Sequence, residues 1–554
     1  MTAAAAAPAA PRTDLARGST LTGTGALVRF MLRRDRVRLT VWSASMVAFY
    51  AYFTFALDTV FADEAAQQAR ATVMETPAGI VMGGPGYGID HYTTGVAMAN
   101  EGITWVVLAL AVLSILHVVR HTRTEEESNR SELVRAAVVG RHAHAVAAVL
   151  TLLLAQTVIA VLSALSMVAV GDLAVTDSFA MTVGSGLSAM VFGAVALVAC
   201  QVTEHARGAL GISLAVFGAA FVVRAAGDMR ELGGSTLSWF SPIAWAQQMR
   251  AFVDLRWWPA ALSVVAIVAL LWIAAVLASH RDFGGALLRS RPGRPEARAS
   301  LRGPFALTWL QQRGALLWSC LGLGLMWFAT GTLMPEIGTM IDDLVADNAA
   351  AQQIFGADPS QLSVSFLAVM IMFAALCCAG YAVVMTQRPK AEETSGRGEI
   401  MFSHPVGRTR WLGAQVAVAA IGTTVLLAVS VYATWLGAVV VGWDDQSFGD
   451  YTVVVWTYLA ALAVFVGLVV ALYGWAPRLT GLGWALVAYA LIVGMFGGLF
   501  DLPDWAYRIS PFDWVPDAFS GDFSAGDVAL LWGVAAVLVV LGFVGFRRRD
   551  LQTG

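Results

Sequence analysis

Two stretches hold most of the side chains able to do chemistry, RTEEESNRSELVRAAVVGR at 123–141 and KAEETSGRGEIMFSHPVGR at 390–408. At an ungapped offset of 267 they share eight of nineteen positions: Glu125 with Glu392, Glu126 with Glu393, Ser128 with Ser395, Arg130 with Arg397, Glu132 with Glu399, and Val139, Gly140 and Arg141 with Val406, Gly407 and Arg408. Glu126 and Arg130 lie four apart, as do Glu393 and Arg397, the spacing that brings opposite charges together on one helix face. An apolar pair follows in each copy, Leu133 with Val134 and Ile400 with Met401. The chemistry this offers is contact between charges. It describes a short helix with one charged and one apolar face that can dock a protein, or else a solvated loop held by local ion pairs. Repetition in the same charge order favours docking, because solvation alone does not require fixed places.

Bond-making groups are scarce. The only lysine, Lys390, is followed by Ala391, whereas a phosphate-cradling loop needs Gly-x-x-x-x-Gly-Lys-Ser/Thr. Any ATP chemistry would therefore have to come from another polypeptide. The four cysteines, Cys200, Cys320, Cys377 and Cys378, fall in apolar runs without metal-type spacing. No paired acids, histidine cluster or metal-ligand set stands out, so neither a metal nor a cofactor is expected in this chain. Glu101 lies near the outer end of a hydrophobic run and is a candidate intramembrane polar site, since a charge at that depth is functional by default. Its repeat partner is Ala368, which keeps it out of the duplicated machinery, and a small boundary shift puts it at the interface. His117, at the other end of the same run, reads as interfacial.

The elements that must position these residues are membrane helices. Of the 554 residues 58% are hydrophobic and 13% charged, with a mean hydropathy of +0.68. A soluble globule cannot hide that much apolar surface. Runs of about 20 apolar residues fall at 39–57, 96–119, 145–170, 178–200, 209–226 and 260–279, then at 314–333, 365–386, 412–441, 451–472, 481–500 and 526–546. Residues 1–38 carry no compact apolar core ending in a cleavage site, so no signal peptide is expected. With the N-terminus inside, 29 of the 35 Arg and Lys residues lie on inner segments. The positive-inside rule then places both termini in the cytoplasm of a plasma-membrane protein.

Other echoes keep nearly the same offset. Ser241, Pro242 and Trp245 match Ser510, Pro511 and Trp514, and Arg281 and Asp282 match Arg549 and Asp550. The expected fold is an all-α polytopic protein of about twelve transmembrane helices, arranged as two six-helix repeats of one orientation. Its parts are a cytoplasmic segment at 1–38 with an interfacial helix, a first repeat at 39–279, a basic linker with a second interfacial helix at 280–313, a second repeat at 314–546 and a tail at 547–554. The interfacial helices are read from Leu27, Phe30 and Met31 with Arg33, Arg34, Arg36 and Arg38, and from Phe305, Leu307, Trp309, Leu310 and Arg313; ordinary basic flanking is the alternative. The aromatic outer loops at 227–259 and 501–525, which contain the Ser-Pro turns, suit either an interfacial belt or a gate. Gln156, Thr157, Asn100 and Gln415 are candidates to face a cavity.

The Glu-Glu-x-Ser-x-Arg-x-Glu loop between the second and third helix of each unit, with the Ser-Pro turn before each sixth helix, resembles the ABC-2 type exporter permeases. More narrowly, the fused twelve-span form is similar to the actinobacterial polyketide-antibiotic (tetronasin-type) exporters. This likeness implies that Glu125, Glu126, Ser128, Arg130, Glu132, Glu392, Glu393, Ser395, Arg397 and Glu399 couple the chain to two copies of a cytoplasmic ATPase, which supplies ATP and Mg. It implies an outer gate at the two Ser-Pro-Trp turns and export of hydrophobic antibiotics, drugs or lipids. Nucleic acid has no part. The alternative is a proton-coupled secondary drug transporter, for which Glu101 is the isolated titratable candidate; a membrane enzyme ranks below both.

Overall fold

The computed structural model describes residues 20–60, 64–75, 77–128, 139–281, 285–287, 295–335, 359–500, 503–515, 519 and 524–550. Among them there is no strand, and twelve helices are long and apolar enough to cross a bilayer. Spans one to six are Arg36–Val60, Ile103–His121, Ala143–Gly171, Val175–Val202, Ala206–Asp228 and Trp258–Ser279. Spans seven to twelve are Pro304–Gly331, Pro359–Thr386, Arg408–Val440, Phe448–Trp475, Leu482–Phe500 and Ala525–Arg548. All twelve expected runs are helices. The overlong ninth run is one helix of 33 residues, about 50 Å at 1.5 Å per residue, and so exceeds a hydrocarbon core of about 30 Å.

The chain divides into two compact units, residues 1–293 and 294–554, and the division falls within the 280–313 stretch. Inside each unit the same helices pack together. Span two lies on span four, span four on spans three and six, span one on span three and span five on span two; eight on ten, ten on nine and twelve, seven on nine and eleven on eight repeat this pattern. Burial follows the same order. Spans two and four bury 72% and 78% of their most apolar stretch, against 17% and 11% for spans one and six; spans eight and ten bury 56% and 61%, against 17% and 22% for seven and twelve. The peripheral helices turn side chains such as Trp272, Val265, Trp318 and Leu325 outward. A hydrophobic side chain left exposed in this way suits lipid, where it pays no penalty.

Small residues set the closest crossings, as expected where helix association rests on packing and not on water expulsion. In unit two a Cβ on Gly331 would run into the Thr434 carbonyl oxygen, and one on Gly437 into that of Phe328. Gly474 and Gly542 meet equally closely between spans ten and twelve.

The two helical leads differ. Thr24–Arg34 is a separate helix, set off from span one by the single residue Asp35. Residues 305–313, which the sequence reading sets apart as an interfacial helix, instead form the first turns of span seven, with Pro304 opening one continuous helix. Pro is pre-shaped for a first helical position, and nothing interrupts the turns after it. At the offset relating the loops, Arg36 stands opposite Gly303, so the helix starting at Pro304 matches span one and not the helix before it.

Gly331→Ala should lower the thermal midpoint of the purified protein, with a loss on the order of 1–3 kcal/mol for overpacking. Gly322→Ala in the same helix meets open space, so its midpoint should stay level or rise. Equal midpoints for the two variants would contradict the close crossing.

Candidate functional site

The loop after span two opens with the short helix Arg123–Glu127. Its acidic residues point in different directions. Glu126 receives two hydrogen bonds from Arg281, Nη2 to Oε1 at 2.8 Å and Nη1 to Oε2 at 3.0 Å, and a third from Arg123 Nη1 at 2.6 Å. Arg281 lies just beyond span six and also donates to Gln201 Oε1 of span four at 2.7 Å and to the Gly285 carbonyl at 2.9 Å. Arg123 donates from Nε to the Glu204 carbonyl between spans four and five, at 2.9 Å. Glu125 is buried and accepts from Arg34 Nη1 at 2.6 Å, which ties the loop to the N-terminal helix. Glu127 stays exposed and accepts from the Ala206 amide at 3.0 Å.

Unit two builds the same clamp. Glu393 is buried and receives both guanidinium nitrogens of Arg549, Nη1 to Oε1 at 2.7 Å and Nη2 to Oε2 at 2.6 Å, with Tyr473 Oη donating to Oε2 at 2.8 Å. Arg549 lies just beyond span twelve, as Arg281 does beyond span six, and its guanidinium also sits over the Tyr473 ring at 4.8 Å. Burial alone would pull the Arg549 pKa down; the hydrogen bonds and charge of Glu393 hold it above the ordinary value. Lys390, the counterpart of Arg123, reaches Thr480 Oγ1 at 3.1 Å, again in the connection before the fifth helix of its unit. Even the Gly-Arg ends of the two motifs agree. Arg141 donates to the Ala278 carbonyl at 2.8 Å and Arg408 to that of Arg549 at 2.8 Å, each holding the start of the third helix to the end of the sixth.

Two expectations change. Glu126 and Glu393 are not free docking charges, because each is engaged bidentately within its own unit. The helix carrying Glu393 and Arg397 on one face is also broken. Gly396 adopts a left-handed φ of 74° between Arg388–Thr394 and Arg397–Phe402, so Arg397 pairs from Nε with Glu392 at 3.1 Å instead. The side chains left facing outward are Ser128 and Glu127 in one copy and Ser395, Arg397, Glu399 and Ile400 in the other. Ser128 and Ser395 each also donate to a carbonyl three residues back, that of Glu125 and that of Glu392. Arg130 and Glu132 lie outside the described residues.

The two Ser-Pro-Trp turns superpose in their bonding. Ser241 Oγ accepts from the Ile243 amide and Ser510 Oγ from that of Phe512, both at 3.3 Å. Trp245 donates its indole N–H to the Trp239 carbonyl at 2.7 Å, and Trp514 to that of Arg508 at 2.8 Å. Pro242 and Pro511 follow their serines, and Pro242 opens a short helix. A serine cap and an indole staple fix each turn before the last helix of its unit, while Phe240 and Trp505 stand exposed beside them.

Glu101 is not a lone charge. It sits in a π-helical turn, Met98–Gly102, and is held by Arg70 from the helix Glu64–Glu75, with Tyr92 Oη donating at 2.9 Å. Around it this end of unit one is closed by buried polar contacts. Asn100 bonds both the amide and carbonyl of Tyr87, Gln247 bonds Thr104 and the Gly83 carbonyl, and Arg224 caps the carbonyls of Ile80, Val81 and Gly83. Gln156 donates to Ser114 and Gln312 to Gln415, so these two join helices, while the exposed Thr157 bonds the Leu153 carbonyl of its own helix. The acidic outer residues Asp342, Asp343, Asp347 and Asp358 lie outside the described residues.

The comparisons with known proteins fit this build. Residues 301–547 match a domain family described as the C-terminal domain of the multidrug efflux system permease Rv1217c. Over 545 residues the chain is 36% identical to the multidrug efflux system permease protein Rv1217c of Mycobacterium tuberculosis, spanning 97% of this chain and 96% of that protein. The chain belongs to the Rv1217c efflux permease family. Its kinship runs through both units, and the matched domain begins three residues before Pro304, where the first helix of unit two starts. A permease is a transport subunit.

Sequence reasoning singled out Glu126, Glu393, Arg281 and Arg549 but did not pair them; the matched offsets of 267 and 268 were the available signal. It placed Arg34 only in an interfacial helix and read His117 as interfacial, and it gave no role to Arg70, Asp35 or His121. Arg549→Met should destabilise the protein by about 3–5 kcal/mol, the cost of removing one partner of a buried ion pair, and Arg281→Met by less, because Glu126 is only partly buried and keeps its bond from Arg123. Adding Glu393→Gln or Glu126→Gln respectively should recover part of the loss in thermal melting. A double variant no better than its arginine variant would show that the ion pair is not what the arginine supplies.

Proposed function

We propose that this chain is the transmembrane subunit of an ATP-binding-cassette exporter of the ABC-2 type, in the tetronasin-exporter group. Both termini face the cytoplasm, and hydrophobic antibiotics, drugs or lipids leave through the plasma membrane. The observation that carries the reading is the duplicated clamp. Each unit holds its second-to-third-helix loop against the end of its own sixth helix with a Glu–Arg pair of the same geometry. A rigid loop rooted in two helices can transmit a push, whereas a floppy one absorbs it. Two such loops in one chain suit two ATPase subunits, each binding ATP and Mg.

Within each loop the roles divide. Glu125, Glu126 and Glu393 shape the loop from below. The partner-facing surface includes Glu127 and Ser128 in the first copy, and Glu392, Ser395, Arg397, Glu399 and the exposed Ile400 in the second; Arg130 and Glu132, outside the described residues, are assigned to the same coupling role on the repeat alone. Ser241, Pro242, Trp245, Ser510, Pro511 and Trp514 stiffen the outer turns through which cargo leaves. Glu101 takes a structural part through Arg70, which leaves a proton-driven mechanism without its candidate relay.

The test is to co-purify the chain with the ATPase subunit, reconstitute both and measure hydrolysis stimulated by a lipophilic cargo. Glu399→Arg with Ile400→Asp should lower stimulation about tenfold, the effect of roughly 1.4 kcal/mol of lost docking energy, with an unchanged thermal midpoint. Stimulation at the original level would remove this surface from the coupling role. Export should also continue after the proton gradient is collapsed and stop without ATP. The reverse pattern would favour the secondary-transporter reading.

A further inference from the structure

Asp35, the single residue separating the N-terminal helix from span one, is buried, and so are His117 and His121 near the end of span two, at 2%, 1% and 1% exposure. Four-residue spacing puts both imidazoles on one face of span two, and the chain corner at Asp35 brings a carboxylate against that face from another element. One ligating atom from each of the three residues falls within 4.8 Å of the others. His121 Nε2 is 2.7 Å from Asp35 Oδ2, and the two imidazole rings lie 4.6 Å apart between centroids.

We propose that Asp35, His117 and His121 bind one divalent transition-metal ion of the Zn2+ class, which staples the helix corner to the end of span two. Two imidazoles and a carboxylate form a donor set suited to such borderline ions and poorly suited to Mg2+ or Ca2+, which take oxygen ligands. Bonds of about 2.0–2.1 Å in a tetrahedron set ligand atoms about 3.3 Å apart, within reach of side-chain rotation from the present spacing. Three protein ligands leave the fourth position to water.

The surroundings supply an outer shell of the kind that orients metal ligands. His117 Nε2 lies 3.2 Å from the Ala148 carbonyl of span three, which fixes its ring. Arg120 lies 3.2 Å from the second carboxylate oxygen of Asp35; its side chain is 41% exposed and is free to turn to water when a cation takes the place beside Asp35. Beside Asp35, Arg34 holds Glu125 of the loop. Metal occupancy would therefore stiffen the joint on which the first clamp's loop rests.

The experiment uses the full chain with a histidine-free affinity tag, stripped with chelator and titrated with Zn2+, alongside Asp35→Asn and His121→Gln, which keep hydrogen-bonding capacity. The wild type should bind on the order of one equivalent more than either variant, and only the wild type should gain thermal stability with Zn2+. Co2+ in the wild type should give the intense visible bands of a four-coordinate nitrogen and oxygen site, a readout that needs no variant to fold. Equal Zn2+ uptake in all three proteins, or Co2+ that keeps the weak spectrum of the hydrated ion, would overturn the assignment and leave a hydrogen-bonded Asp–His corner.

Discussion

The bidentate carboxylate–guanidinium pair at the loop end of each six-helix unit is the contact on which the rest of the arrangement depends. Taking a glutamate out of water is expensive, and it is tolerated here because an arginine offers two parallel N–H groups in the fork that carboxylates match. The clamp joins parts of the chain about 155 residues apart, Glu126 to Arg281 and Glu393 to Arg549. It closes each unit as a ring, with the second helix's loop held by the segment beyond the sixth. The third arm, from Arg123 or Lys390, pins the same loop to the connection before the fifth helix. The loop thus becomes an extension of three helices.

The sequence was most informative where the physics is one-dimensional. Twelve apolar runs became twelve helices because hydrocarbon allows a spanning backbone few other ways to satisfy its amides. Duplication was readable because charged residues are rare in such a chain, so their recurrence at one offset stands out. Partnership was harder to read. Glu126 and Arg130 look like a pair in sequence, yet the carboxylate is gripped at both oxygens by Arg281, which only the fold brings near. Glu101 looked isolated for the same reason, with Arg70 arriving from a helix that hydropathy does not register. Phe305 to Arg313 carry an amphipathic pattern equally compatible with lying on the membrane or starting a span. The four-residue spacing of His117 and His121 went unread, and Asp35, more than 80 residues earlier, completes the cluster only in three dimensions.

The two units share a packing plan and differ in what they add to it. In unit one a polar cap gathers around residues 77–104, where Arg70, Arg224, Asn100 and Gln247 each bond neighbouring groups. Ala368 replaces Glu101 at the equivalent place in unit two. Unit two draws instead on glycine crossings such as Gly331 with Gly437. Loop anchoring and the bonding of the Ser-Pro-Trp turns are common to both.

Lys390 gives the chain a practical property. It is the one lysine side chain in 554 residues, and its amine lies within the second loop beside Thr480. Any reagent that reacts with primary amines on side chains will mark this protein at a single address. A fluorophore or crosslinker placed there would report directly on whatever approaches that surface, with no residue having to be engineered first.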